Sequence, residues 1–375
     1  MLPELEEGGV ERGVVELNRE LVKRGVESIV ISAGGKQAVQ IERDGGRHIV
    51  FDLVSKNLLT APWRIIRLRR RIKELQPDVL HARSRVPAWL AWLANRPLKI
   101  PFVTTVHGFN SVNAYSRVMT FGDRVVCVSR AIKGYIQQHY QVHEEKTVLI
   151  PRGVDLEVFD PEAVDHEFIK GFREKFQLNG RFVVTAVGRI TPLKDYETFI
   201  RGVVAAKEQI PEICGLIVGG VRKDKQAYFQ TLQALVKTLA AEDLIRFVGS
   251  QNRVEELYSL SDIVVSCSKK PESFGRTAAE ALAMNVPVIA TNHGGVLDIV
   301  IPGKTGFLFQ PEDVESFVHA LLAIRQKNLE GLRETIIECF SLEKMVEAYL
   351  NLYRALTPTD DIESSSIAGR AIDAP

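Results

Sequence analysis

The stretch Pro271-Glu272-Ser273-Phe274-Gly275-Arg276-Thr277-Ala278-Ala279-Glu280-Ala281-Leu282-Ala283 decides how the rest of the chain reads. An apolar run, Ile263-Val264-Val265-Ser266-Cys267-Ser268, precedes it and reads as a buried parallel strand. A second run, Val286-Pro287-Val288-Ile289-Ala290-Thr291, follows it. The unit is therefore strand, loop, helix, strand, with Glu272 in the loop and Glu280 inside the helix. Ser273 or a neighbour is expected to cap the helix, and Gly275 lets a ligand approach the backbone. The start of a helix at the carboxyl end of a strand binds anions through free N–H groups and the positive dipole end. Glu280 lies about two turns further in, so it reaches a hydroxyl beside the anion rather than the anion itself. A ligand combining phosphate and polyol suits this arrangement.

The chain around this unit is that of an ordinary globular protein. It has 375 residues, 45% hydrophobic and 25% charged, enough for two domains with separate cores. No run of eighteen apolar residues occurs, and the acidic start Met1-Leu2-Pro3-Glu4-Leu5-Glu6-Glu7 is no signal peptide. Cys127, Cys214, Cys267 and Cys339 are far apart in apolar surroundings and read as buried thiols of a reducing, cytoplasmic compartment. The net charge of +1 hides an asymmetry. Residues 1–155 carry 24 Lys and Arg against 16 Asp and Glu, a balance of +8; the remainder carries 24 against 31, a balance of −7.

Apolar runs and helical patterns alternate through both halves, which predicts α/β architecture with doubly wound parallel sheets. In the first half, strands are expected at 26–33, 48–53, 77–82, 101–107, 124–129 and 147–151. Gly8 and Gly9 precede a helix ending at Gly25 and suit a close approach of backbone to phosphate. His107, followed by Gly108, ends a strand on the side where such sheets bind ligands. His81 also ends a strand and reads as a structural hydrogen bonder. In the helix 64–75, Ile65, Leu68, Ile72 and Leu75 form one stripe and six basic residues cover the rest. This face suits an anionic membrane surface. The second half opens with a strand running into Gly188 and Arg189, with Lys194 at the next helix start. Arg offers a fork and Lys a point charge, the pair a diphosphate leaving group needs. Gly294 and Gly295 are expected to open a helix towards the phosphates. Gly303-Lys304-Thr305 imitates the end of a P-loop, but Asp298 stands where that motif needs Gly.

The E-x7-E spacing of Glu272 and Glu280 resembles that of family 4 glycosyltransferases, retaining enzymes of GT-B architecture, and the resemblance runs over roughly residues 1–355. Gly188-Arg189-Ile190 followed by Lys194 resembles the family's G-R-[LI]-x3-K motif. Ile150-Pro151-Arg152-Gly153-Val154-Asp155 resembles its I-P-N-G-V-D segment, with Arg152 where Asn is commoner. Asp298 stands where Glu is usual.

The resemblance implies two Rossmann-like domains facing across a cleft. The first, acceptor-side domain spans 1–160 and the donor-binding domain 161–340. A helix at 341–356 crosses back, and a disordered tail occupies 357–375. It implies transfer of a sugar from a nucleotide diphosphate sugar to a glycan or lipid-linked acceptor, without metal or cofactor and without nucleic acid. Envelope polysaccharide or lipopolysaccharide assembly is the expected setting. Glu272, His107, Arg189 and Lys194 become the expected catalytic residues. Gly8, Gly9, Gly188, Arg189, Lys194, Glu272, Ser273, Phe274, Gly275 and Glu280 become the expected donor-binding ones. Two rivals stand beside this reading. One is a glycosidase using Glu272 and Glu280 as its carboxylate pair; the other is a nucleotide-sugar binder without turnover.

A doubly wound domain should begin with a buried central strand running into its first glycine loop. Here Met1 and Leu2 supply at most its end, and Pro3 blocks further ladder bonding. The expectation is a start downstream of the natural one and a first domain lacking most of that strand.

Overall fold

The computed structural model describes residues 1–6 and 8–357; the expected tail lies, after Thr357, outside the described residues. The strands are β1 (Ile29–Ser32), β2 (Arg47–Val50), β3 (Leu80–Ala82), β4 (Phe102–Val106), β5 (Arg124–Cys127) and β6 (Thr147–Leu149) in the first half. The second half holds β7 (Phe182–Val187), β8 (Ile213–Val218), β9 (Ile245–Gly249), β10 (Ile263–Ser266), β11 (Val288–Thr291) and β12 (Gly306–Phe309). All named pairings are parallel. The central strands, such as β4, β8, β10 and β11, are runs rich in Val and Ile buried on both faces, because helices cover each side of the sheet, whereas the edge strand β2 is partly exposed. The fold is α/β with two doubly wound domains.

The second domain has one sheet in the order β12-β11-β10-β7-β8-β9, with β7 at its centre. The helix His166–Lys175 buries Phe172 beside Val183, Cys214 and Leu216 of this domain's core. In the first domain the sheet is split into β1-β2 and β3-β4-β5-β6. Among the described residues only Met1–Pro3 bridge the break. The N–H of Leu2 donates to Ile31 O at 3.2 Å, the N–H of Ala33 to Pro3 O at 2.8 Å and the N–H of Arg83 to Met1 O at 3.0 Å. These bonds lie at the carboxyl ends of β1 and β3. Towards their amino ends the two edges line a groove of about 570 Å³, walled by Leu21, Ile29, Ile31, Ile72, Val79 and Leu80 among others.

The chain crosses between domains twice, side by side. Val154 N donates to Phe340 O and Leu342 N to Val154 O, both at 2.8 Å. The last helix, Leu342–Leu356, then buries Leu342, Met345, Val346 and Tyr349 against Leu17, Leu21, Val103 and Val126 of the first domain.

The basic helix spans Ala61–Leu75 and uses its charges differently from expectation. Leu68 and Ile72 are buried in the core, as the stripe predicts. Arg64 is also buried and donates to the Asn57 carbonyl, while Arg69 donates to the Leu93 and Ala94 carbonyls at the end of a neighbouring helix. Those carbonyls have no partner inside their own helix, so an arginine there satisfies them. Arg67, Arg70, Arg71 and Lys73 remain exposed. Cys127, Cys214 and Cys267 are buried, but Cys339 is exposed, against expectation.

Candidate active site

The second-domain half of the cleft is built at the carboxyl ends of β7 and β10. Beyond β7, Gly188 sits under crowded backbone: its carbonyl accepts from Tyr196 Oη at 2.6 Å, and a Cβ on Gly219 would lie 1.8 Å from the same oxygen. A 3-10 turn, Pro192–Lys194, carries Lys194 over this loop. Its Nζ lies 2.5 Å from Glu272 Oε1, and the Ser268 hydroxyl donates to the same oxygen. Burial pushes the Glu272 carboxyl up, but Lys194, Ser268 and then His293 outweigh it and hold it below its ordinary range. The structure thus brings Lys194 and Glu272 together as an ion pair, not as a free cation beside a free carboxylate. Arg189 is exposed, and no side-chain partner is found for it among the described residues.

The loop Glu272–Gly275 is clamped by the Gly294–Gly295 pair. Glu272 bridges to Gly294, and Gly295 N donates to Glu272 O at 2.7 Å. A Cβ on Gly294 would meet the Glu272 carbonyl at 2.6 Å, and one on Gly295 the Ser273 carbonyl at 2.4 Å. These glycines are therefore needed for backbone contact. The expected helix towards the phosphates is only a 3-10 turn, Gly295–Asp298. Gly275, at φ +103°, starts the helix Arg276–Ala283 with no side-chain cap, so Ser273 is not the cap expected from sequence. Phe274 is buried against Phe340, with ring centroids 5.9 Å apart, and belongs to the core rather than the ligand surface. Glu280 is also buried. Its carboxylate receives Arg276 Nε at 2.8 Å and Tyr258 Oη at 3.1 Å, so it is already engaged where a free ribose contact was expected.

In the first domain, Gly8 is extended and the helix begins at Gly9, earlier than the apolar pattern suggests. A Cβ on Gly9 would lie 2.7 Å from Arg152 Nη1, so the glycine admits a guanidinium. The two strand-end histidines differ sharply. His81 has both ring nitrogens occupied, Nδ1 by Tyr353 Oη at 2.7 Å and Nε2 by Thr105 Oγ1 at 2.6 Å, which makes it structural. His107 has both nitrogens buried and neither partnered among the described residues. Burial, then Arg152 and Arg83, push its pKa well down, so it stands neutral at pH 7.

Three arginines around His107 escaped the sequence reading. Arg83 and Arg152 come from the first domain and Arg276 from the second, and all line the cavity that also holds His107. Burial, then Arg276 and Arg83, push the Arg152 guanidinium down to about 10. Arg276 also closes the domains: its Nη2 lies 2.9 Å from Glu16 Oε1, while Arg12 Nη1 lies 3.7 Å from Glu280. The signal in the sequence was Arg152, standing where the resembling segment has Asn.

Two doubly wound domains joined by a double crossing, with a charged cleft at the carboxyl ends of both sheets, are the GT-B architecture. The family model "Glycosyltransferase Family 4" matches residues 7–158, and "Glycosyl transferases group 1" matches residues 169–338. The D-inositol 3-phosphate glycosyltransferase of Kribbella flavida is 28% identical, covering 94% of this chain and 92% of that protein. The N-acetyl-alpha-D-glucosaminyl L-malate synthase of Bacillus anthracis is 28% identical over 74% of each chain. A glycosyltransferase crystal structure from Rickettsia africae superposes with TM-score 0.88 at 29% identity, covering 96% of this chain and 98% of that one. The chain belongs to the group 1 glycosyltransferases with a family 4 first domain, and it is a glycosyltransferase.

Proposed function

We propose that the protein transfers a sugar from a nucleotide diphosphate sugar with retention of anomeric configuration and without metal. His107 carries this reading: a neutral, buried imidazole with two unpartnered nitrogens, lining a cavity with Arg276 of the second domain, suits a sugar hydroxyl as partner. Arg189 and the amides at Gly275 would stabilise charge growing on the diphosphate, and Lys194 would exchange Glu272 for phosphate as donor enters. Glu272 would then accept a hydroxyl of the sugar. The acceptor hydroxyl oxygen bonds to the anomeric carbon as the carbon–diphosphate oxygen bond breaks. The electron pair leaves on the diphosphate, and the hydroxyl proton passes to that same oxygen on the same face. Glu280 would reach a ribose only if Arg276 releases it. Binding of UDP is supported by an Anabaena protein of the same fold, HepE, described in complex with UDP and glucose. Thermal-shift screening of nucleotide diphosphates, followed by NMR of the product's anomeric coupling, tests the reading. An inverted product, or turnover abolished by EDTA, overturns the retaining, metal-free form of it.

The setting we propose is the inner face of an anionic membrane, in envelope glycan assembly. Leu58, Leu59, Trp63 and Ile66 are 84%, 92%, 64% and 57% exposed, and Lys56, Arg67, Arg70 and Lys73 of the same segment are exposed as well. Exposed apolar residues beside cations fit a bilayer of anionic lipid.

A further inference from the structure

Between the domains, beside His107, lies a cavity of about 10 Å³ whose charged lining is Arg83, Arg152, Arg276 and Glu16. Resting on the transfer reading above, we propose that the transferred sugar carries a carboxylate, so that the donor is a nucleotide diphosphate uronic acid, and that Arg152 selects it.

The charges around the cavity do not balance. Glu16 already receives Arg12 at 2.7 Å and Arg276 at 2.9 Å, and Arg276 also meets Glu280 at 2.8 Å. Arg276 is therefore compensated within the protein. Arg83 and Arg152 make no ion pair among the described residues, and Arg83 Nη2 and Arg152 Nε are buried without a hydrogen-bond partner. A guanidinium donor held out of water and unpaired costs stability, so each marks a place that a ligand completes. The guanidinium of Arg83 lies over the Tyr349 ring, 5.1 Å from the centroid, which holds its plane. The start of the helix Gly9–Lys23 borders the same cavity and adds the positive end of its dipole. Glu11, the acidic residue of that first turn, lies against Gly8 and outside the cavity lining, and its pull on Arg152 is weaker than the push of Arg276 and Arg83.

The size of the cavity decides which part of the donor reaches it. About 10 Å³ holds one water-sized group, so neither a diphosphate nor a ring enters, whereas a carboxylate oxygen does. Arg189, Lys194 and the Gly275 amides serve the diphosphate from the second domain, so Arg83 and Arg152 are surplus to it. They stand beside His107, the partner of the sugar in the transfer reading. An arginine fork matches a carboxylate and discriminates against the neutral hydroxymethyl group that holds the same place on an ordinary hexose. The resembling I-P-N-G-V-D segment has neutral Asn at this position, so the extra cation is this chain's own departure.

Calorimetry on the whole protein with UDP-glucuronate, UDP-glucose and UDP tests the assignment. UDP-glucuronate should bind about tenfold or more tightly than UDP-glucose, and Arg152→Asn should abolish that preference. The comparison of the two sugars on the unaltered protein needs no variant, so it stands even if Arg152→Asn fails to fold. Equal binding of the two sugars, or a preference for UDP-glucose, overturns the proposal. So does a preference kept in Arg152→Asn. An equal loss of affinity for UDP, UDP-glucose and UDP-glucuronate in that variant overturns it too, and assigns the arginine to the diphosphate. If none of the three binds, free glucuronate is titrated while the ring signals of His107 are followed. Saturable binding that shifts them and is lost in Arg152→Asn leaves the carboxylate site standing and removes the UDP donor from the transfer reading. No binding of glucuronate either overturns both.

Discussion

The two domains share one topology and differ at its centre. In the second, β7 lies between β8, which pairs it from Phe182 to Val187, and β10, which pairs it from Val184 to Ala186. In the first, Met1–Pro3 are the only described residues that bond between β1 and β3, with the apolar groove behind them. The break lies towards the amino ends of the strands, whereas the cleft gathers at their carboxyl ends. At that carboxyl end Met1–Pro3 tie β1 to β3 through bonds to Ile31, Ala33, His81 and Arg83.

This contrast predicts where substitutions act. Arg189→Ala or Lys194→Ala, beyond the filled centre, should lower the transfer rate on the order of 10²-fold or more with folding intact. Wild-type turnover from either variant takes that residue out of the site. At the open centre the effect should be on stability. Six apolar residues fused ahead of Met1 should enter the groove and raise unfolding free energy by roughly 1–3 kcal/mol, burial of their side chains exceeding the loss of chain entropy. A Gly/Ser extension of equal length should not. Equal melting temperatures for the two fusions would show that the groove does not accept a strand.

Much of this was legible because sequence-local pattern carried it. Continuous Val and Ile runs mark doubly buried strands, and alternation with helices marks the winding. Gly188, Lys194 and Glu272 lie in compact strand-loop-helix units, so their approach could be anticipated. Phe274 was misread because it sits between two polar positions of the same loop, and only the tertiary fold turns it inward to Phe340. Arg64 and Arg69 were misread because periodicity places a Cα on a face but does not say where a long cation reaches. Arg83, Arg152 and Arg276 converge from distant segments, and no spacing encodes that.

The buried histidines sharpen the comparison through pH. His81 and His107, both in the first domain, are pushed well below their usual range by burial and then by arginines. In the unfolded chain they titrate near 6.5. Above that value both states are neutral and the stability is fully present. As pH falls through 6.5 the unfolded state takes up protons that the native state refuses, so stability falls, by up to about 1.4 kcal/mol per pH unit for each group. Chemical denaturation between pH 5 and 7.5 should show this slope, and His107→Gln should reduce it. A flat profile, or stability rising on acidification, contradicts the burial of these rings.

The smallest effect expected concerns the outer faces of the domains. Residues 1–155 carry a balance of +8 and the remainder −7, so an anionic bilayer should attract the first domain and repel the second. The contact proposed above is the exposed segment: Trp63, Ile66 and Arg70 recur at three and four residues and share one side of the helix, with Leu58 and Leu59 leading into it. Arg64 and Arg69 are turned inward, so removing them tests folding rather than membrane attraction. Each of Arg67, Arg70 and Lys73 changed to Ser should weaken binding to vesicles containing phosphatidylserine by about 1 kcal/mol, roughly fivefold, an effect fading as salt shortens the Debye length. Trp63→Ser should weaken binding at high salt as well, because its contribution is apolar burial. Flotation of the four variants at two salt concentrations separates these terms. If all four float like the unaltered protein, the tip is an ordinary surface and the charge asymmetry has another use.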